Sequence, residues 1–218
     1  MNKIKTHQPC NDCGSSDALT YYENSTYCFS CKTRHWIGDN NQPQRNKMTL
    51  HSTKMSEPED NAVSKTIVDR GITKTTCEKY GVVQDSSNYW FPYHKENEVV
   101  AYKKRSISDK KFSTVGDWRD GGLFGQQLFN KGGKYVTVVE GEMDALACYQ
   151  MLGSKYPVVS IRNGAGSAGV DIRKNYEWLD SFDSIVVFMD NDTQGQEASK
   201  QIADVFGSKI KVFKCTSE

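Results

Sequence analysis

The sequence predicts an α/β protein: a mostly parallel sheet with helices on both faces, preceded by a small β-rich metal-bound unit and a mixed α+β middle region. Three observations predict it. Four of the seven cysteines fall in two Cys-x-x-Cys pairs near the N-terminus. From Tyr135 onward, β-branched runs alternate with helical runs, the pattern of βαβ units. Two of those runs, residues 135–139 and 184–189, are nearly all apolar, as strands covered on both faces are.

Cys10-x-x-Cys13 and Cys28-x-x-Cys31 are separated by fourteen residues. Each pair aims two sulfurs at one point, and four thiolates close a tetrahedral Zn²⁺ site with no open position. A stretch this short cannot fold on an apolar core alone, so one structural zinc is expected to supply its folding energy. The chain carries no export signal, which favours metal ligation over disulfides. Cys77, Cys148 and Cys215 are scattered and read as small buried apolar groups. Tyr21, Tyr22, Tyr27, Phe29, His35 and Trp36, with Lys32 and Arg34, crowd this unit; aromatics interleaved with cations are how single strands are gripped, the alternative being that most of them simply cover the small sheet.

Four segments follow from this reading: a zinc unit over 1–36, a flexible linker over 37–62, a basic middle region over 63–133 and the α/β domain over 134–218. The linker is polar with few apolar anchors and cannot bury enough surface to offset its ordering entropy. In the middle region, residues 62–68 and 73–80 read as two short helices broken at Arg70-Gly71, and residues 89–93 and 99–105 as a hairpin. Lys103, Lys104, Arg105, Lys110 and Lys111 cluster there. Alternation puts Lys103 and Arg105 on one face, where they and Lys111 suit phosphates of a nucleotide or template; a solvated hairpin tip is the alternative.

In the α/β part, helices are expected over 143–152, from the loop 163–169 towards Leu179, and over 196–206. Strands are expected over 157–161 and 209–213 besides the two apolar runs. Glu140-Gly-Glu-Met-Asp144 follows the first strand and Asp190-Asn-Asp192 the third. Functional groups gather outside the carboxyl ends of parallel strands, so two adjacent strands would bring these acids together. Such hard oxygen ligands suit Mg²⁺ or Mn²⁺, one ion or two, and metals of this kind assist phosphoryl transfer. The alternative is that the acids merely cap helices; Asp144 either faces the same cleft or favours the helix dipole. The loop 163–169 lacks a Gly-Lys-Ser/Thr ending, so it is not a Walker loop.

Formal net charge is +1, so any basic surface is local. No apolar run is long enough to span a membrane. The chain reads as cytoplasmic.

Glu-Gly-Glu-x-Asp-x-Leu after one apolar strand and Asp-x-Asp after another resemble the Toprim domain. The resemblance implies Glu140 as a catalytic acid–base or metal-linked group, and Asp190 and Asp192 as Mg²⁺ ligands. The order of zinc unit, linker, basic region and Toprim resembles the primase half of phage primase–helicases, related to the mitochondrial helicase Twinkle. Cys10-Asn-Asp-Cys-Gly-Ser-Ser-Asp17, Arg70-Gly-Ile-Thr-Lys-Thr-Thr-Cys77, Leu123-Phe-Gly125, Glu140-Gly-Glu-Met-Asp-Ala-Leu146 and Tyr156-Pro-Val-Val-Ser160 carry it. It implies a DNA primase that joins NTPs into short RNA primers on single-stranded DNA inside an infected host cell. Glu140, Asp144, Asp190 and Asp192 would be catalytic and the zinc unit would read the template. Implied partners are a replicative helicase, fused or separate, and a DNA polymerase. The sequence ends at Lys214-Cys-Thr-Ser-Glu218, before the point where this family carries a further acidic motif. The competing readings are a non-catalytic zinc/Toprim recombination mediator and a Toprim nuclease or topoisomerase fragment.

Overall fold

The structure is a computed structural model that describes residues 3–23, 25–31, 33–36 and 57–213. The chain divides into two compact units, Met1–Thr53 and Lys54–Glu218. Most of the expected linker, residues 37–56, lies outside the described residues, as do Lys32 and Cys215.

The first unit is an antiparallel sheet of β1 (Lys3–Gln8), β2 (Leu19–Tyr22), β3 (Ser25–Cys28) and β4 (Arg34–Trp36), in that order. Its core is very small: Cys10, Leu19 and Cys28. So little apolar burial cannot offset chain ordering, which makes the cysteine cluster the structural centre of this unit.

The second unit joins two four-stranded sheets. Its middle region opens on extended chain rather than on the helix expected over residues 62–68. Val63 bridges to Gln84 and Ile67 to Ile72, with a 3-10 turn over Val68–Arg70. The β-branched run Val63, Thr66, Ile67, Val68 resists helix, and backbone bonds between Val63 and Gln84 hold it extended. Helix α1 (Lys74–Tyr80) follows, capped by the Thr73 hydroxyl and closed by Gly81. Strands β5 (Val83–Gln84), β6 (Asn88–Lys95), β7 (Glu98–Ser106) and β8 (Phe112–Gly116) pair antiparallel in sequence order. Strand β8 was not legible: Phe-Ser-Thr-Val-Gly is an exposed edge strand with no apolar alternation.

The α/β part runs β9 (Gly133–Val139), α2 (Glu142–Met151), β10 (Val158–Ser160), α3 (Ala168–Lys174), α4 (Tyr176–Asp180), β11 (Phe182–Phe188), α5 (Thr193–Phe206) and β12 (Ile210–Val212). The sheet order is β10-β9-β11-β12 and every pairing is parallel. One face is sealed. Val136, Val138, Val159, Ile185 and Val187 pack against Ala168, Ile172, Leu179, Ala198 and Ile202 from α3, α4 and α5. On the other face α2 covers β9 and β10, where Val139 and Val158 join Leu146 and Tyr149 in a core shared with Tyr80, Phe91, Tyr93 and Phe124 of the middle region. Farther along that face Ser184, Val186 and Phe188 of β11 remain half-buried. A hollow of about 690 Å³ opens there, lined by Tyr135, Thr137, Leu152, Tyr156 and Val186 among others. The expected two-sided cover is therefore complete on one face and partial on the other. No described helix is long and apolar enough to cross a membrane.

Candidate functional site

The four cysteine sulfurs lie within 4.8 Å of one another. Cys10 and Cys31 Sγ are 3.8 Å apart, and Cys13 and Cys28 Sγ are 3.7 Å apart. A tetrahedron with zinc–sulfur bonds of about 2.3 Å has edges of about 3.8 Å, so this donor set fits a closed tetrahedral metal site. Two knuckles build it. Cys10 N–H donates to the Ser15 carbonyl and Gly14 N–H to the Cys10 carbonyl, while Cys28 N–H donates to the Thr33 carbonyl. Gly14 takes φ +70°, the left-handed region that a glycine enters freely. Beside this centre the Arg34 guanidinium lies over the rings of Tyr22 and Tyr27, at 5.7 and 5.2 Å. Phe29 and Tyr21 are exposed. His35 is not a fifth ligand of the cluster; its Nε2 meets Asp12 Oδ2 at 2.6 Å.

In the second unit, β9 and β11 are neighbours, and Val139 pairs with Phe188. Glu140 and Asp190 thus emerge from adjacent strand ends, as the sequence led us to expect. Glu140 is half-buried, and its Oε2 is buried without a hydrogen-bond partner. Burial, then the charges of Asp190 and Asp192, push its carboxyl above the ordinary glutamate range; the backbone N–H groups of Asp190 and Ala165 oppose the rise. Burial and Asp190 also raise Asp144. A buried carboxylate oxygen that lacks a donor, among further carboxylates, suits a hard cation or a shared proton.

Asp192 and Asp144 also cap helices. Asp192 Oδ1 accepts from Gly195 N–H at 2.7 Å and caps α5. Asp144 Oδ2 accepts from Gly141 N–H at 3.1 Å at the start of α2. Asp190 and Asp192 are exposed. Among the described residues only the cysteines form a group of three or more ligands within 4.8 Å, so the carboxylates do not close on one another as the cysteines do.

The cations named from sequence separate. Lys103 Nζ is committed to Glu142, at 2.8 and 3.1 Å from its two oxygens, and to the Arg162 carbonyl at 3.1 Å. Arg105 lies over the Phe112 ring and lines a small recess with Arg70, Tyr89, Lys110 and Met143. Lys111 is exposed and pairs with Asp109.

Sequence reasoning missed Glu142, Tyr93, Arg162 and Asp171. Glu142 is 3 % exposed and accepts from the Tyr93 hydroxyl as well as from Lys103. Arg162 and Asp171 are a buried pair. Glu142 stood inside an acidic run already singled out, but its burial depends on partners some forty residues upstream, which no local pattern records. Cys77 is buried and Cys148 half-buried, and burial pushes both thiols to about 11.

The Toprim-like family matches residues 137–217. The DNA helicase/primase of Enterobacteria phage T3 is 33% identical over 221 residues, spanning 94% of this chain but 38% of that protein. The crystal structure of the primase fragment of the bacteriophage T7 primase–helicase matches with a TM-score of 0.66 and 30% identity, over 97% of this chain and 90% of the fragment. A chain from the T7 lagging-strand DNA polymerase complex with primase domains and an RNA/DNA hybrid matches with a TM-score of 0.64 and 33% identity, over 72% of this chain and 82% of that one. The four-cysteine cluster, the parallel sheet and the acidic strand ends define a Toprim-type protein with a metal-site unit. The chain belongs to the family of primase fragments of phage primase–helicases.

Proposed function

We propose that this chain is a DNA primase, which joins NTPs into short RNA primers on a single-stranded DNA template by metal-assisted phosphoryl transfer. The observation that carries this reading is Glu140 beside Asp190 at the ends of two adjacent parallel strands, with Glu140 Oε2 buried and undonated.

Glu140, Asp190 and Asp192 would hold Mg²⁺ or Mn²⁺, with Asp144 at their edge. When bound, such an ion neutralises phosphate charge and favours the attacking and leaving oxygens of in-line displacement. The chain's own residues supply the rest. Glu140, raised above the ordinary range by burial and by the neighbouring carboxylates while no cation is held, would serve either as a ligand of the ion or as the group that takes up the proton of an attacking hydroxyl. Arg105, Lys110 and Arg70 border a recess beside Met143 of α2, where they would neutralise nucleotide or template phosphates. Lys111 is exposed at the hairpin end and suits a template contact. Lys103, held by Glu142 and the Arg162 carbonyl, is a nucleotide or template contact set apart from that recess.

The four cysteines are assigned to one structural Zn²⁺, and the aromatic surface around Arg34 to reading the template by stacking. We assign 1–36 to the zinc unit, 37–62 to a linker, 63–133 to the basic region and 134–218 to Toprim. The relatives' names point to a helicase and a DNA polymerase as partners in phage replication, and we place this work in the cytoplasm of the infected host. The test is primer synthesis from NTPs with Mg²⁺ on a pool of random single-stranded templates. Formation of dinucleotides and longer primers, abolished in Asp190→Ala, is expected. No product from the wild-type chain on any template would overturn the reading.

A further inference from the structure

We infer that Arg162 and Asp171 form a clamp that positions Glu140 and Lys103 by fixing the loop between β10 and α3. This inference rests on the reading of Glu140 given above. Both side chains are almost fully buried, at 7% and 1% exposure. Asp171 Oδ1 accepts from Arg162 Nη2 at 2.6 Å and from Nε at 2.9 Å, and its Oδ2 accepts from the backbone N–H of Arg162 itself at 2.8 Å. One carboxylate thus grips both the guanidinium and the main chain of the residue that opens the loop.

The other end of the guanidinium reaches across to the middle region. Arg162 Nη1 donates to the carbonyls of Trp118 and Arg119, at 2.8 and 3.3 Å. The Trp118 indole N–H returns to Asn163 Oδ1 at 2.9 Å. The segment 162–163 is therefore tied to α3 on one side and to the 118–119 strand exit on the other.

Two groups of this loop face the reacting residues. The Arg162 carbonyl accepts from Lys103 Nζ, so the clamp sets where that ammonium rests between Glu142 and the loop. The strand end just before it is tied to the residue that precedes Glu140, since Ile161 N–H donates to the Val139 carbonyl at 3.2 Å, and three residues past Arg162 the Ala165 N–H is near enough to Glu140 to oppose the rise of its carboxyl. Gly164, at φ +69°, makes the turn that lets Ala165 face back, a backbone region other residues enter at a cost. A short strand, three residues long, cannot by itself fix a loop that swings through such a glycine. The buried pair can, because two guanidinium N–H groups on one carboxylate oxygen and the main-chain N–H on the other define orientation as well as distance. Neither residue touches substrate in this arrangement; both act through Ala165 and Lys103 and are positioning residues.

The test compares the wild-type chain with Asp171→Asn and with the double replacement Arg162→Met/Asp171→Leu. The double variant removes both buried charges for apolar groups of similar size, an exchange that buried pairs commonly tolerate. Primer synthesis is measured well below the melting temperature of each variant. The clamp predicts that kcat falls about tenfold to a hundredfold, the usual effect of losing a supporting contact behind an active-site ligand, with KM for NTPs within about threefold. A merely structural pair would lower the melting temperature and leave kcat alone, so a folded double variant with kcat within about twofold of wild type would overturn the proposal.

Two further readouts stand apart from catalysis. In Asp171→Asn, the Trp118 indole resonance should shift, and an unmoved resonance counts against the clamp. In the wild-type chain the amide hydrogens of Arg162 and Ala165 should exchange as slowly as those of β10; exchange at the rate of an open loop would sink the idea even if no variant folds. If the wild-type chain makes no primers, the functional reading fails by itself, and these two measurements still decide whether the clamp exists.

Discussion

At Gly195 a methyl group has nowhere to go: a Cβ built there would lie 2.1 Å from the Asp190 carbonyl oxygen. The first turn of α5 therefore rests on the backbone of the acid it follows, and Gly195 N–H also holds Asp192. Gly195→Ala should cost about 1–3 kcal/mol, the usual range for overpacking, and should depress primer synthesis as well by displacing Asp190. Thermal melting and kcat, measured together, check both. Asp85 is a second pressure point, 5 % exposed. Burial alone would raise its carboxyl, but the N–H of Ser87, the Trp90 indole and the N–H of Asn88 outweigh that and hold it below the ordinary range. A depressed carboxyl contributes stability that is present above its unfolded value and is lost as pH falls through its folded one. Asp85→Ala should therefore cost about 1–3 kcal/mol at neutral pH, and the gap to wild type should close on acidification in denaturant titrations.

Glu140 and Asp144 have the opposite sign. Both are raised in the folded state, so their contribution is fully present below the unfolded carboxylate values and is lost as pH rises through the folded ones. A cation held by the ionised acids offsets that loss. Mg²⁺ should raise the melting temperature more at about pH 7 than at about pH 4, where protons compete with the ion for Glu140 and Asp144. An equal shift at both values would place the ion elsewhere.

Among the elements, α2 carries the densest constraints in the site. Its first turn is fixed by Asp144 on Gly141, and its Glu142 is anchored in the antiparallel sheet by Lys103 of β7 and Tyr93 of β6. Leaving one partner of a buried pair alone costs about 3–5 kcal/mol, so Glu142→Ala should be severely destabilising. Lys103→Met combined with Glu142→Leu should cost much less than the sum of the single changes. Additive losses in that cycle would mean that the two side chains do not interact.

This element also shows how much could be read from the chain. The strands β9 and β11, their acidic ends and the cysteine quartet were legible because period, composition and spacing are local properties. Glu140 could be named because it follows an apolar strand directly. Glu142 could not, since its neighbour Met143 is equally buried and its charge partners come from another sheet. The Arg162–Asp171 pair was hidden for the same reason, and β8 because an edge strand needs no apolar face. The extended run at 63–67 was misread because, although its β-branched residues disfavour helix, what holds it extended is the bridge from Val63 to Gln84, which no local pattern records.

For the whole molecule, two units with separate cores imply separate unfolding. Among the described residues the first has a buried core of Leu19 and two of the cysteines, Cys10 and Cys28; the second has two large apolar clusters. Stripping the metal from the cysteine cluster with a chelator should abolish the structure of the first unit and leave the melting of the second unchanged, as read by amide exchange or calorimetry. A shift of the main transition by chelation would mean that the two melt as one.

The sheet face beside β11, where Val186 and Phe188 stay half-open next to a hollow lined by Tyr135 and Tyr156, bears on how this protein will look in the laboratory. An amphiphilic dye such as ANS brightens when it finds accessible apolar surface, and that brightening is commonly taken as the mark of a molten globule. This chain should light the dye while its near-ultraviolet circular dichroism remains fully native. A preparation judged by dye alone would be discarded as half-folded when every strand is in place.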